Sequence, residues 1–194
     1  YYYDTVPDTT LTQRGTAPYG TAITEKTNGA VSVGSTDYAS QMKTGYKNDN
    51  TTAPATIGVE NSSNVIKVYY VKDDSQTHSV SYTVEYYKEG NLTNTTDAVT
   101  ATQWIMDAAS VDVTGVNTTN YYGAGYKFVE TEPATVPESY SIAAGEASST
   151  DNVIKVYYTP IDYKVSYEYE GTVPTGATAL PEATTKNHVN DTIT

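Results

Sequence analysis

The heptapeptide Asn-Val-Ile-Lys-Val-Tyr-Tyr occupies residues 64–70 and again 152–158, 88 positions apart in a chain of 194. Seven identical residues in so short a chain mark an internal repeat. A repeat constrains the fold before any local pattern does, because each copy must be one supersecondary unit. Other landmarks keep similar spacing: Gly45-Tyr46-Lys47 matches Gly125-Tyr126-Lys127, and Val31 and Val33 match Val111 and Val113, each 80 positions on. Pro54-Ala55-Thr56 matches Pro133-Ala134-Thr135 at 79 positions, so nine extra residues precede the second heptapeptide, within 139–150. Length changes of that kind concentrate in surface loops. The stretch 84–90 resembles the opening residues 1–8, and 163–174 resembles both. The chain therefore reads as a first repeat over 1–75 with a truncated opening strand, a complete second repeat over 76–160, and the start of a third, incomplete, over 161–194.

In the complete repeat, Val80, Tyr82, Val84 and Tyr86 alternate with Ser81, Thr83, Glu85 and Tyr87, which predicts a strand with one dry face. The segment 103–109 is expected to form a short helix or turn that points Trp104, Ile105 and Ala108 at the core. Further strands are expected within 110–116, 125–131 and 152–160. In the last, Val153, Lys155 and Tyr157 share one face and Ile154, Val156 and Tyr158 the other; two largely apolar faces suit a central strand. Pro160, lacking an N–H, should end it. With 20 Tyr, one Trp, one Phe and 38% apolar residues, the composition favours pleated, half-wet surfaces. The expected fold is mainly β, with little helix: tandem small modules with mixed sheets, joined by short Gly-poor connectors into an elongated, semi-rigid rod.

A formal charge of −12 argues against nucleic acid and anionic membranes as partners, since both would repel it. There is no cysteine, so disulfides and thiolate metal sites are excluded. No apolar run of about 18 residues predicts a membrane span, and no leader pattern precedes the first strand. Ser-nucleophile and phosphate-cradling glycine motifs are absent; the expectation is a non-enzymatic chain without a cofactor.

The Tyr-x-Val-x-Tyr-Tyr pattern, a Gly-Tyr about 40 residues later and the closing Val-Ile-Lys-Val-Tyr-Tyr together resemble the MucBP-type (mucin-binding protein) repeats of Gram-positive surface adhesins. The landmarks fall on Val84, Tyr86, Tyr87 and Gly90, on Gly125 and Tyr126, and on Val153, Ile154, Val156, Tyr157 and Tyr158. The piece beginning "YKVSYEYEGTVP" resembles the start of a SHIRT-like or related surface repeat. The resemblance implies β-grasp-like modules in the extracellular stalk of a cell wall-anchored protein, with mucin or other host glycans as possible partners beside the neighbouring repeats. The alternative is a fibre or pilus-like subunit that polymerises by strand complementation between partial modules.

Candidate functional residues follow, each with a plainer reading. Trp104, Tyr121, Tyr122 and Tyr126 form the best local aromatic cluster for stacking on sugars, although strand aromatics are more often core and cross-strand pairs. Lys67 and Lys155 hold one position of the repeated strand and are candidates for an intramolecular isopeptide bond, as in related Gram-positive stalk modules; otherwise their stems cover the sheet and their amines reach water. Asp73 and Asp74 in the first junction and Asp162 in the second are weak calcium candidates that lack the loop spacing. His78 and His188 have no neighbouring ligand partner and are expected at the surface. Asn50, Asn61, Asn91, Asn94, Asn117 and Asn190 open N-x-S/T triplets. "LPEAT" at 180–184 departs from a sortase signal and reads as loop.

Overall fold

The structure, a computed structural model, describes residues 1–189 and 191; the acceptor triplet at Asn190 lies outside them. Two compact units comprise residues 1–79, 102–109 and 142–148 in the first, and 80–101, 110–141 and 149–194 in the second. Sixteen strands are formed: β1 (Tyr2–Tyr3), β2 (Val6–Pro7), β3 (Ile23–Glu25), β4 (Val31–Val33), β5 (Thr36–Tyr38), β6 (Tyr46–Thr52), β7 (Lys67–Lys72), β8 (Thr77–Lys88), β9 (Asn91–Thr95), β10 (Val99–Trp104), β11 (Ala109–Asp112), β12 (Tyr126–Glu132), β13 (Ser139–Ile142), β14 (Ser149–Pro160), β15 (Tyr163–Val165) and β16 (Thr184–Asn187). The described residues contain no α-helix; the only helical pieces are 3₁₀ turns at Thr9–Leu11, Thr27–Gly29 and Asn61–Ser63.

The molecule is mainly β with mixed sheets. One sheet runs β2-β1-β7-β6 and another β10-β8-β14-β12, with β9 also paired to β8; β3-β4-β5, β11-β13 and β15-β16 are separate. The repeated heptapeptide enters the central strand of each larger sheet. β7 runs parallel to β1 and antiparallel to β6, from Tyr46 opposite Lys72 to Thr52 opposite Lys67. β14 runs parallel to β8 and antiparallel to β12, from Tyr126 opposite Pro160 to Glu132 opposite Lys155. Both antiparallel ladders shift register at the same place, between Asn48 and Asn50 and between Phe128 and Glu130. As expected, β14 is central and stops at Pro160.

The alternation in β8 is as the sequence predicts: Val80, Tyr82, Val84 and Tyr86 are buried, and Ile154, Val156 and Tyr158 of β14 join them. A core so rich in tyrosine must satisfy buried hydroxyls, and the backbone of one loop does so. Tyr82 Oη donates to the Thr114 carbonyl (3.2 Å) and accepts from the Thr114 N–H (2.9 Å). Tyr86 Oη accepts from the Asn117 N–H at 3.0 Å, while Tyr158 Oη donates to the Asn117 carbonyl at 2.8 Å. In the first unit Val31, Val68 and Tyr70 form the core, with Tyr1, Tyr3, Ile23, Tyr46 and Ile66 packed against it. There Tyr70 Oη accepts from the Gln41 N–H (3.0 Å) and donates to the Asn28 carbonyl (3.1 Å).

Two expectations are corrected. Of the short helix or turn expected over 103–109 the turn is what forms, after a strand at Val99–Trp104 beside β8, with the Asp107 N–H meeting the Trp104 carbonyl at 2.8 Å. Neighbouring-strand hydrogen bonds outweigh the local helical spacing, and the buried small residue is Ala109, with Ala108 exposed. His78 is not at the surface either, being 2% exposed. β8 starts at Thr77, so a period of two carried back from Val80 places His78 on the dry face.

The two copies of the heptapeptide are not folded alike. Asn152, Val153 and Ile154 lie within β14, opposite Tyr82, Thr83 and Val84. The identical Asn64, Val65 and Ile66 precede β7, outside any strand. The Asn152 amide donates to the Ser81 carbonyl at 2.7 Å, whereas the Asn64 side chain closes on the backbone of Gly58 (2.8 and 2.9 Å). Ile154 is 0% exposed, whereas its counterpart Ile66 is only partly buried. Because the cost of a cavity follows burial, Ile154→Ala should lose about 3–4 kcal/mol and Ile66→Ala less than half of that; denaturant unfolding of the two variants checks the difference.

Candidate functional site

The first unit is organised around the Gly45-Tyr46 dipeptide. Gly45 has φ +83°, a conformation that costs L side chains, and a Cβ there would stand 2.7 Å from Met106 Cγ and 2.8 Å from Trp104 Cζ2. The indole N–H of Trp104 donates to the Gly45 carbonyl at 2.9 Å, and the Asp73 N–H donates to the same oxygen at 2.8 Å. Tyr46 meets the Trp104 ring edge-on at 5.5 Å, and Lys72 Nζ lies 4.9 Å from that ring. Gln76 ties the seat together: its Oε1 accepts from the Gly45 N–H (2.8 Å), and its Nε2 donates to the Tyr46 carbonyl (3.2 Å) and to Asp73 Oδ2 (3.0 Å).

The matching dipeptide of the second unit is built the same way. Gly125 has φ +100°, and an added Cβ would run into Val189. Its carbonyl accepts from the Ile161 N–H at 2.8 Å, as Gly45 does from Asp73. Both incoming apolar groups come from a turn that follows a strand: Asp107 N–H to the Trp104 carbonyl at 2.8 Å, and Asp191 N–H to the His188 carbonyl at 3.1 Å.

His78 fastens two turns of the first unit, with Nδ1 2.8 Å from the Glu146 carbonyl and Nε2 2.7 Å from the Asp107 carbonyl. A neutral imidazole donates to one of these acceptors; the doubly protonated ring donates to both. Its role is structural, since backbone oxygens occupy both nitrogens. His188 is exposed and stands 3.1 Å from Asp162.

Of the proposed sugar platform, the structure brings Tyr121, Tyr122 and Tyr126 together in the second unit, while Trp104 belongs to the first. Tyr121 stacks on the buried Tyr86 at 3.6 Å and 1°, and Tyr122 sits edge-on to Tyr158 at 5.2 Å. Lys88 Nζ covers the Tyr126 ring at 4.2 Å, and the hydrogen bond it makes with Tyr126 raises its pKa. These rings spend their faces on packing. A pair that sequence reasoning passed over lies on the opposite face and is half-buried as well: Tyr87 and Tyr157 stack at 4.8 Å across β8 and β14. Tyr87 Oη donates to Glu85 (2.8 Å) and Tyr157 Oη to Glu132 (3.3 Å), which also pairs with Lys155 at 3.0 Å. The hydrogen bond from Lys155 lowers the Glu132 pKa. In the first unit Tyr2 and Tyr69 stack likewise at 4.8 Å. The signal lay in the alternation, which sets Tyr87 and Tyr157 on the wet face of otherwise apolar strands.

The Lys155 pair with Glu132 is solvent-accessible, and Lys67 lies opposite Thr52. The Asp73 carboxylate is engaged by N–H and O–H donors from Ser75 and Gln76, with the Gln76 bond the main cause of its lowered pKa. Asp74 pairs with Lys72 at 3.4 Å. Among the described residues no group of three or more His, Asp or Glu could hold a metal ion. No known protein family, curated protein or solved structure matches the chain.

Gly45→Ala should cost roughly 1–3 kcal/mol from its backbone conformation alone and, by displacing Trp104, red-shift the emission of the chain's one Trp. Gly20→Ala, at φ +80° with nothing near its Cβ position, should destabilise without moving that emission. Asp8 offers a pH reading: hydrogen bonds from Lys43 and Thr10 hold its pKa at about 2, below its ordinary value of 3.8. Because the folded value is depressed, the contribution is present above pH 3.8 and is lost as pH falls through about 2. A carboxyl NMR titration should show this midpoint, and Lys43→Met should move it upward.

Proposed function

We propose that this chain is a non-enzymatic repeat region of an extracellular bacterial surface protein, resembling MucBP-type repeats, whose immediate work is structural extension. The observation that supports it is the recurring seat. In both units a glycine of the Gly-Tyr dipeptide, held at positive φ, receives an apolar side chain from a turn farther along the chain. Repeats that each close such a seat within one compact unit are self-contained pieces of a kind that can be strung in series as a stalk. The short connectors serve the same end, and a rod is the shape this arrangement favours.

Adhesion to mucin or other glycans is the associated activity in this reading. The outer tyrosine pair Tyr87 and Tyr157, beside Glu85 and Glu132, is the place to look for it, since flat rings next to carboxylates suit sugar faces and hydroxyls. The protein would stand on the cell wall of a Gram-positive bacterium, anchored elsewhere in the polypeptide.

Small-angle scattering tests the stalk: the wild-type chain should give an elongated profile, and a globular profile would sink the proposal. On a glycan array, binding lost in Tyr87→Ala/Tyr157→Ala supports adhesion, and a blank array leaves extension alone. Intact mass should equal that of the unmodified sequence, since an isopeptide bond at Lys67 or Lys155 would remove one ammonia each.

A further inference from the structure

In the first unit the hairpin of β1 and β2 pairs Tyr3 with Val6 and Tyr2 with Pro7 and delivers Asp8 to the head of the 3₁₀ turn at Thr9–Leu11. Asp8 Oδ1 caps that turn, accepting from the Thr10 N–H at 3.1 Å and the Thr10 hydroxyl at 2.6 Å. Beside it opens a cleft of about 310 Å³ whose lining includes Tyr3, Val6, Pro7, Asp8, Lys43 and Tyr46, at the lower end of the roughly 300–1,000 Å³ of ligand clefts. Tyr3 and Tyr46 form an aromatic corner, their centroids 5.1 Å apart and their planes at 80°. Tyr3 stacks on the buried Tyr70 at 5.2 Å and carries the Lys43 ammonium 4.0 Å from its ring centre. The same ammonium donates to Asp8 Oδ2 at 2.9 Å. The lysine thus marks where the cleft holds a cation, over a tyrosine ring and against a carboxylate. Its side chain is 52% exposed, and ion pairs so open to water hold weakly.

The second unit supplies an independent observation. There Tyr126 holds the repeat position of Tyr46, and Lys88 stands opposite Tyr158 as Tyr3 stands opposite Tyr70. Lys88 Nζ lies 4.2 Å from the Tyr126 ring centre, and Tyr126 Oη donates to Glu89 at 3.2 Å. The residue 80 positions beyond Lys43 is Gly123. An ammonium on a tyrosine ring beside a carboxylate therefore recurs at this corner, although the lysine comes from a different place in the repeat. What recurs is the corner's affinity for a cation and not the residue that meets it.

We propose that the cleft of the first unit binds a soluble quaternary ammonium compound of the size of choline, which takes the place of the Lys43 ammonium against Tyr3, Tyr46 and Asp8. Aromatic rings recognise quaternary ammonium groups through the attraction of the ring face for positive charge. Asp8 Oδ2, released by Lys43, faces that charge, while Val6 and Pro7 meet the methyl groups as an apolar wall. A primary ammonium is a compact, strongly hydrated charge on a flexible stem, so Lys43 loses little by swinging into water. The formal charge of −12 draws cations to the chain and disfavours phosphate-bearing membrane surfaces, which points to a soluble ligand. This inference stands apart from the stalk reading: a stalk needs no ligand, and the cleft needs no neighbouring repeat.

Amide NMR of the full chain titrated with choline chloride tests it, with neohexyl alcohol, the uncharged carbon isostere of choline, as the comparison. The expected result is a saturable set of shifts centred on Tyr3, Asp8, Lys43 and Tyr46 with choline and none with the alcohol. Lys43→Met removes the competing ammonium and should tighten choline binding by about three- to tenfold. Asp8→Asn should weaken it by about threefold or more, and Tyr3→Leu should abolish it; should Tyr3→Leu fail to fold, Lys43→Met and the alcohol still decide. Equal binding of the alcohol overturns the proposal, because the cleft would then be apolar and indifferent to charge. So does the absence of saturable shifts in the wild-type chain, or shifts centred elsewhere. Choline binding that arises only in Lys43→Met overturns it too, since the lysine would then be the permanent occupant of the corner. Cosedimentation with phosphatidylcholine vesicles overturns the soluble ligand in favour of a membrane headgroup.

Discussion

Both larger sheets depend on one ladder, the parallel pairing of an opening strand with a closing strand that lies far along the chain. In the second unit Asn152 to Tyr158 matches Tyr82 to Lys88 residue by residue. A parallel pair cannot be joined by a tight turn; it needs a crossover of a dozen or more residues. That requirement accounts for the middle of each repeat. The chain leaves the opening strand, forms small sheets such as β3-β4-β5 or β11-β13, and returns through the strand after the Gly-Tyr dipeptide. The ladder comes last in sequence, and the buried aromatics Tyr82, Tyr86 and Tyr158 anchor it by placing their hydroxyls on the crossover loop at Thr114 and Asn117. Phenylalanine in these positions would fill the volume and leave that loop's N–H and carbonyl groups unpaired.

What could be read in the sequence was whatever depends on a period of two. The alternation from Val80 to Tyr86 and the central place of 152–160 are statements about side-chain direction, and one strand carries them by itself. His78 was missed because the alternation was started at Val80 rather than carried back through the strand. The strand leading into the turn expected over 103–109 was missed for a different reason: Val99–Trp104 is extended because β8 lies beside it, and a neighbour is not a local property. Trp104 shows the same limit within the candidate site. Its aromatic character was visible, but its partner Gly45 was legible only as a conserved feature of the repeat spacing, never as a seat with φ +83°. Of the proposed sugar cluster three tyrosines meet, and Trp104 lies in the other unit; Tyr121 stacks on Tyr86, Tyr122 sits edge-on to Tyr158, and Lys88 covers Tyr126. Tyr87 and Tyr157 sit on the opposite face of the same strands.

The repeated heptapeptide separates intrinsic preference from context more cleanly than a substitution does, since nothing in the seven residues differs. Beside β8, Asn-Val-Ile is strand, with Ile154 sealed and the Asn152 amide on a neighbouring carbonyl. In the first unit the same three residues are irregular, and the Asn64 amide turns to Gly58 instead. β-Branched propensity is identical in the two places, so it cannot be what decides. The deciding quantity is the row of partner N–H and C=O groups that a parallel strand supplies, together with the apolar side chains that strand brings to the same face. Asparagine suits this position because its amide can satisfy a carbonyl across the ladder or close a local loop. A closing strand of this composition takes its order from the strand beside it, as Asn152 to Ile154 do from Tyr82 to Val84.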